Sequence, residues 1–178
     1  KTSLYSWIAD RNLTITEDGD FVAYKGVTLD KEGRSLSIHS GAAFVNGTLV
    51  RGQIPNENGS VITMPRSDVN ANTAEGCSTG LHAGTWSYAS GFAHGRVLEV
   101  HINPRDVVSV PDDCSHQKLR VSRYTVVDTI EQPHSVPTVS SYADDDDEDV
   151  EDDYWGDGEE DVDSEWEAAW SHDPTGTI

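Results

Sequence analysis

This 178-residue chain has no Lys or Arg after Arg123. Cysteine is scarce as well, since Cys77 and Cys114 are the two cysteines of the sequence. Two cysteines 37 positions apart, without a secretory leader, predict neither a disulfide framework nor a Cys-x-x-Cys metal site, and they favour a reducing cytoplasm. No apolar run approaches the roughly 18–20 residues that a transmembrane helix requires, so we expect no membrane span.

The acidic side chains are concentrated near the C-terminal end. The chain has 32 Asp and Glu against 12 Lys and Arg, a formal net charge of −20, and residues 144–173 contain 17 of the acids. The other 15 acids nearly balance the 12 basic side chains. We predict a globular domain over residues 1–130, a Pro/Ser-rich linker over 131–143 and an acidic, Trp-containing tail over 144–178. Many like charges and few aliphatic side chains predict that this tail is disordered.

Short strand patterns and two helix patterns alternate through residues 1–130. Apolar spacing predicts helices over Leu4–Thr16 and over Trp86–Phe92, with Thr85 as the N-cap of the second. Because the stretch between Thr28 and Asn58 is rich in Gly and Asn, we expect weak pairing there. The fold class is α+β, a β-rich mixed or antiparallel sheet with two short helices. Its predicted strands are Phe21–Val27, Ser35–His39, Gly47–Gln53, Val61–Met64, Gly80–Ala83, Val97–Ile102, Val107–Val110 and Leu119–Ile130.

Two of these strands differ in the burial that their patterns predict. The strand Leu119–Ile130 is long and apolar, and it is expected to place Leu119, Val121, Tyr124 and Val126 in the core. Glu99, His101 and Arg105 alternate along one face of a strand and the turn after it, which is typical of a solvated face.

Several polar residues of the body are candidates for binding chemistry. His82 lies near a predicted strand end, just before a helix N-terminus, where backbone N–H groups favour anions. Lys25 and Arg66 lie in or beside strands, and either could meet a phosphate or carboxylate, or could simply bury its stem and keep its charge in water. Cys77, His82 and His39 could form a thiol–imidazole pair or a metal cluster. A buried cysteine and a hydrogen-bonded structural histidine are the simpler interpretation, so we assign no catalytic residue and no metal ligand.

The tail carries a more specific pattern than its charge alone. Ser164 and Glu167 have capping-box spacing, and Trp166 and Trp170 are four residues apart, so a short helix would place both indoles on one face. Acids around aromatic anchors suit a basic groove with a hydrophobic pocket. The alternative is a solubilising tail that binds nothing. The predicted partner-binding residues are Tyr154, Trp155, Glu165, Trp166, Glu167 and Trp170.

Five segments of the body, "FVAYKGV", "GSVITMPRSDV", "CSTGLHAGTWSYASGF", "VLEVHINPRDVVSVPDD" and "KLRVSRYTVV", occur in an order that resembles a known family. They are similar to the C-terminal module of rIIB-like rapid-lysis and anti-exclusion proteins of tailed bacteriophages. The resemblance implies a phage origin, a location in the host cytoplasm with peripheral association at the inner membrane, and a role in lysis timing or counter-defence. The long acidic tail departs from this family, so its partner is expected to differ.

A second resemblance concerns the fold. The order of "YKGV", "STGLHAGTWSYASGF" and "VLEVHINPRDVVSVP" is similar to that in ADP-ribosyltransferase-like domains. It implies that Lys25 stands where the family has an Arg or His, and that Ser78, Thr79, His82 and Tyr88 surround the second motif. No Glu occurs in "LRVSRYTVV" at the third position, where a carboxylate would stabilise the oxocarbenium charge. The resemblance therefore implies binding of NAD or another nucleotide rather than transfer.

These observations lead to one leading hypothesis and two alternatives. The leading hypothesis is a non-enzymatic phage accessory protein that binds a basic host or phage protein through its acidic tail and needs no cofactor. The first alternative is a nucleotide- or NAD-binding enzyme or sponge with a degenerate ADP-ribosyltransferase-like site. The second is an inhibitor that mimics DNA. The negative charge of the tail excludes direct binding of nucleic acid, but the tail could imitate nucleic acid and occupy the site of a basic protein. The predicted ligand-binding residues of the body are Lys25, Arg66, Ser78, His82 and Tyr88.

Overall fold

A computed structural model of the chain describes residues 4–134. In this part of the chain nine strands and two α-helices occur, together with single 3-10 turns at Arg66–Asp68, Pro104–Asp106 and Cys114–His116. The helices are α1 (Leu4–Asp10) and α2 (Trp86–Phe92). The strands are β1 (Phe21–Leu29), β2 (Ser35–Val45), β3 (Thr48–Pro55), β4 (Val61–Thr63), β5 (Leu81–Gly84), β6 (Gly95–Ile102), β7 (Val107–Ser109), β8 (Lys118–Val121) and β9 (Arg123–Ile130).

The strands form one sheet in the order β3-β2-β4-β9-β6-β1-β5-β8-β7, and β2 also pairs with β1. This extra pairing closes β1, β2, β4, β9 and β6 into a ring. Every pairing between these named strands is antiparallel. The β-rich fold with two short helices is therefore as predicted, with an antiparallel rather than a mixed sheet.

The hydrophobic core is built from alternate residues of the strands. Phe21, Ala23 and Val27 of β1 are fully buried and pack in the same cluster as Leu98, Val100 and Ile102 of β6. Burial of apolar surface is the main favourable term in folding. The predicted core residues Leu119, Val121, Tyr124 and Val126 are confirmed, since each is at most 2% exposed.

The hairpin of β2 and β3 contradicts the expected weak pairing. The two strands pair from Val45 and Thr48 back to Leu36 and Pro55, with one register shift between Leu36 and Ser40. Asn46 and Gly47 connect them with φ angles of 49° and 84°. Asn-Gly readily adopts the left-handed conformations of a two-residue hairpin turn, and this signal outweighs the high Gly and Asn content.

The predicted strand Leu119–Ile130 is two strands, β8 and β9, which separate at Ser122. The backbone N–H of Ser122 donates to Asp106 O, and its carbonyl accepts a hydrogen bond from Met64 N. These bonds hold Ser122 outside both strands, so β8 pairs with β5 and β7 while β9 pairs with β4 and β6. A continuous apolar pattern does not reveal such a change of partners.

The two helices cover different parts of the sheet. Helix α1 is shorter than the segment Leu4–Thr16 that contains it, and its Trp7 and Ile8 are buried in the main core. Helix α2 has the predicted bounds, and Thr85 caps it by accepting a hydrogen bond from Tyr88 N. No helix within residues 4–134 is long and apolar enough to cross a membrane.

The packing of α2 against β1 leads to a first prediction, which concerns Gly26. A Cβ at Gly26 would lie 2.5 Å from Ala89 O and 2.8 Å from Ala93 N, both backbone atoms. Gly26→Ala must therefore displace the helix, and we expect the free energy of unfolding in urea to fall by about 1–3 kcal/mol.

Gly91→Ala is the matched control, because a Cβ there has no neighbour within 4 Å. Since Ala is the better helix former, this change should raise the free energy of unfolding by about 0.5–1 kcal/mol. Equal effects of the two substitutions would contradict the close contact at Gly26.

Candidate functional site

A cleft of about 1020 Å³ opens beside β1. Its walls include Ser37–Phe44 of β2, the segment Cys77–His82 and the rim of α2, and its floor includes Lys25 and Tyr124. This volume lies at the upper end of the range for small-molecule sites. Four of the five predicted ligand-binding residues line it, namely Lys25, Ser78, His82 and Tyr88.

Arg66 is the predicted residue that the fold places elsewhere. Its guanidinium donates hydrogen bonds to Arg105 O at 2.7 Å and Val107 O at 2.9 Å. Arg66 is not among the residues that line the cleft. In these contacts its role is to join the 3-10 turn after β4 to the start of β7.

Lys25 is a buried cation in the floor of the cleft. Its Nζ donates to His82 O at 2.8 Å and lies 5.4 Å from the centre of the Tyr124 ring. Within residues 4–134 no carboxylate forms an ion pair with it. Burial disfavours the charged form of an amine and lowers the pKa of Lys25 to about 8.

His82 contributes a neutral imidazole to the same region. Within residues 4–134 its buried Nε2 atom has no hydrogen-bond partner, so at this nitrogen the interpretation of a hydrogen-bonded structural histidine is not met. Burial lowers its pKa to about 3, and the positive charges of Lys25, Lys118 and Arg120 act in the same direction. A buried polar atom without a partner is costly.

Lys118 and Arg120 of β8 were not predicted, although both belong to this cluster. Lys118 Nζ donates to Gly76 O at 2.7 Å and to Asp113 Oδ2 at 2.6 Å. Arg120 is fully buried, and it donates to Asn70 O at 3.0 Å and to Asn72 O at 2.9 Å. The two cations thus fix the loop that leads into the cleft wall. Their alternation with Leu119 and Val121 indicates a solvated face, so sequence alone gave no sign of their burial.

Aromatic rings form the rim of the cleft at α2. Tyr88 and Phe92 stack with ring centres 5.9 Å apart, and Phe92 also contacts His39 at 5.8 Å and His94 at 6.5 Å. Burial raises the pKa of Tyr88, with smaller contributions from Cys114, Asp113 and Cys77. Phe92 remains 42% exposed, so part of this side chain is accessible at the rim.

Both cysteines line the cleft and are exposed. The interpretation of Cys77 as a buried cysteine is therefore wrong. Cys77, His39 and His82 do face one cleft. However, no group of three His, Cys, Asp or Glu side chains in the described part of the chain is arranged to hold a metal ion.

A left-handed backbone turn forms another part of the rim. Cys114, Ser115 and His116 have φ angles of 51°, 54° and 58°, a conformation that costs a non-glycine residue roughly 1–2 kcal/mol. From α1, Trp7 donates its indole N–H to His116 O, and Arg11, which follows the helix, donates to Ser115 O at 3.3 Å. Cys114 at the start of the turn lines the cleft.

Glu99 is buried, which corrects the prediction of a solvated face. It is 8% exposed, and its carboxylate lies 2.9 Å from His101 Nε2 and 2.6 Å from His134 Nε2. The N–H of His134 also donates to the hydroxyl of Tyr24 at 3.1 Å. These contacts hold the end of the described chain against β1 and β6. The predicted partner-binding residues between Tyr154 and Trp170 lie outside the described residues.

The neutral state of His82 leads to a prediction about acid stability. Its pKa is lowered from 6.5 to about 3 in the folded chain, so the unfolded chain binds more protons between these values. Stability should therefore fall as the pH falls through this window. We expect acidification from pH 7 to pH 4 to cost the wild type about 2–3 kcal/mol more than His82→Phe.

Urea unfolding of both proteins across this pH range measures the difference. Carboxylates and other histidines titrate in both proteins, and their effects cancel in the comparison. Parallel stability curves would show that His82 takes up its proton in the folded state without penalty.

Comparisons with known proteins agree with the first resemblance. The family model for Bacteriophage T4 protein rIIB matches residues 2–144. Protein rIIB of Enterobacteria phage T4 is 34% identical over 129 residues, which cover 71% of this chain and 36% of that protein. The chain therefore spans little more than a third of the length of this relative. No solved structure matches this chain. Because the family model covers most of the chain and the relative exceeds 30% identity, this chain belongs to the rIIB family of bacteriophage proteins.

Proposed function

We propose that the chain is a non-enzymatic bacteriophage accessory protein that acts by binding, in the timing of lysis or in counter-defence within the host cytoplasm. The observation that carries a binding role for its body is the cleft of about 1020 Å³. Apolar side chains of β2 and β3 line it together with Lys25 and Arg51, so it suits a ligand with apolar surface and a negative charge.

The acidic tail is a second binding element in this proposal, and its support is the sequence. Residues 144–173 carry 17 acids and no Lys or Arg, which favours a basic host or phage protein as the partner. Charge would accelerate the encounter, and Trp166 and Trp170 would supply most of the binding energy.

Removal of residues 144–178 should therefore abolish co-purification of basic proteins from infected host cells. The double substitution Trp166→Ala, Trp170→Ala retains the charge, and we expect it to reduce recovery of the partner at least tenfold. His172→Ala, which keeps both tryptophans, is the control and should recover the same proteins as the wild type. An unchanged set of partners after truncation would eliminate the role of the tail.

A second candidate function is binding of NAD or another nucleotide, by an enzyme or a sponge with an ADP-ribosyltransferase-like fold. One observation favours it: Lys25, Ser78, His82 and Tyr88 line the same cleft, as the second resemblance implies. Lys25 and Lys118, which line the cleft, would meet phosphate, and the exposed part of Phe92 would meet a base.

A thermal-shift screen with NAD, ADP-ribose and cyclic nucleotides tests this candidate. A ligand at 100 times its dissociation constant should add about 2.7 kcal/mol to the stability of the wild type. Lys25→Met should lose the shift, whereas Arg66→Met should keep it because Arg66 lies outside the cleft. If none of these nucleotides raises the melting temperature, the cleft is not a nucleotide site.

A further inference from the structure

The edge of β2 that faces the cleft is incompletely paired. On this edge Ser35 and Leu36 pair with β1, and Phe44 and Val45 pair with β4. Between these pairs, residues 37–43 have no strand partner on this edge among the described residues, although Ser40–Val45 pair with β3 on the other edge. The same seven residues all line the cleft, and Ser40–Ala43, which follow the register shift, form the regular part of this open edge.

The alternation of a strand identifies the backbone groups on this edge. Asn46 N–H donates to Val61 O on the β4 side, and backbone groups that face one side recur at every second residue. Ser40 and Ala42 therefore direct their N–H and C=O groups toward the cleft, whereas Gly41 and Ala43 direct theirs toward β3. His39, Ser40 and Gly41 are exposed. An exposed strand edge is a template for another strand.

The opposite wall of the cleft, at β5, is protected by a side chain. β5 pairs with β8 along its whole length, but with β1 only at Gly84 and Tyr24. On this second edge His82 O accepts a hydrogen bond from Lys25 Nζ at 2.8 Å. The ammonium group thus occupies the position of the N–H of an added strand. Inward lysines are one way in which proteins block strand edges, and no lysine within residues 4–134 donates to the open edge of β2 in this way.

The charges of the cleft favour an acidic occupant. Lys118 is already paired with Asp113 at 2.6 Å. Lys25 and Arg51 also line the cleft, and within residues 4–134 neither forms an ion pair with a carboxylate. Asp68 is the other lining carboxylate, so these two cations leave an excess of one positive charge. Ile38, Phe44 and Leu49 add apolar surface to the same walls. A strand with alternating acidic and apolar side chains would match both features.

We propose that the cleft binds an extended acidic segment of a partner polypeptide, which adds as a strand to residues 37–43 of β2. The regular part of this edge, Ser40–Ala43, spans about 14 Å at roughly 3.4 Å per residue. Main-chain hydrogen bonds to Ser40 and Ala42 give affinity, and carboxylates near Lys25 and Arg51 give specificity. This inference rests on the proposed binding role of the cleft and names the class of its partner.

A displayed library of nine-residue peptides, selected on the full chain, supplies the probe. Fluorescence anisotropy then measures the affinity of the best peptide for the wild type and for Ala42→Pro. Proline removes an N–H group that faces the cleft, and edge positions of a sheet tolerate it. The β3 pairing through Gly41 and Ala43 is retained. We expect Ala42→Pro to weaken binding at least tenfold, whereas Gly91→Ala, which lies outside the cleft and whose Cβ meets no atom within 4 Å, should leave binding unchanged.

Amide hydrogen exchange of the wild type tests the same contact without a substitution. Binding of the peptide should slow exchange at Ser40 and Ala42 and leave Gly41 and Ala43 unchanged, because the latter pair already bonds β3. This alternating pattern distinguishes strand addition from general burial of the cleft.

The remaining outcomes separate the inference from the proposed function. If no peptide binds with a dissociation constant below about 0.1 mM, the inference is wrong, and a nucleotide shift that Lys25→Met removes would still support a binding cleft. Strand addition is wrong if a peptide binds, but Ala42→Pro does not weaken its binding and amide exchange does not slow selectively at Ser40 and Ala42. If neither peptides nor nucleotides bind, the cleft itself has no binding role.

Discussion

The architecture depends on the way in which β1 shares one of its edges. Along its other edge β1 pairs continuously with β6, from Phe21 to Val27. On the shared edge it meets β5 at Tyr24 and β2 at Thr28 and Leu29. One stretch of a strand edge can pair with only one neighbouring strand. β5 and β2 therefore pair with different parts of this edge and diverge from each other. Backbone hydrogen bonding therefore creates the gap that becomes the cleft, and Lys25 and Gly26 lie at its apex.

Electrostatics gives the cleft a character opposite to that of the chain as a whole. The sequence carries a net charge of −20, yet Lys25, Lys118 and Arg120 gather around His82, where Asp113 is the one carboxylate of the described residues that acts on its pKa. Most of the hydrogen bonds that these three cations donate go to backbone carbonyl oxygens. Such bonds retain positive charge at the site, where a carboxylate would neutralise it.

The helices and most strands could be predicted from the sequence, but which strands pair with each other could not. Thr85, the bounds of α2 and the buried residues of the last strand could be predicted, because capping and alternation act within a few residues. The division at Ser122 and the burial of Glu99 and Arg120 depend on contacts with distant segments. Four of the predicted ligand-binding residues, Lys25, Ser78, His82 and Tyr88, do line one cleft. Arg66 instead donates to the backbone carbonyls of Arg105 and Val107. The open edge of β2 has no signature in the residues themselves, since it results from which strands fail to reach it.

The left-handed turn at Cys114–His116 links two parts of the molecule that are far apart in sequence. The turn is an unfavourable conformation that α1 stabilises through the indole of Trp7 and, just beyond the helix, the guanidinium of Arg11. By thermodynamic reciprocity, an occupant that bound better with these two contacts in place would strengthen them, and loss of the contacts would weaken its affinity at the rim by the same factor. The N-terminal segment thus stabilises one part of the cleft rim, from which it is separated by more than 100 residues along the polypeptide.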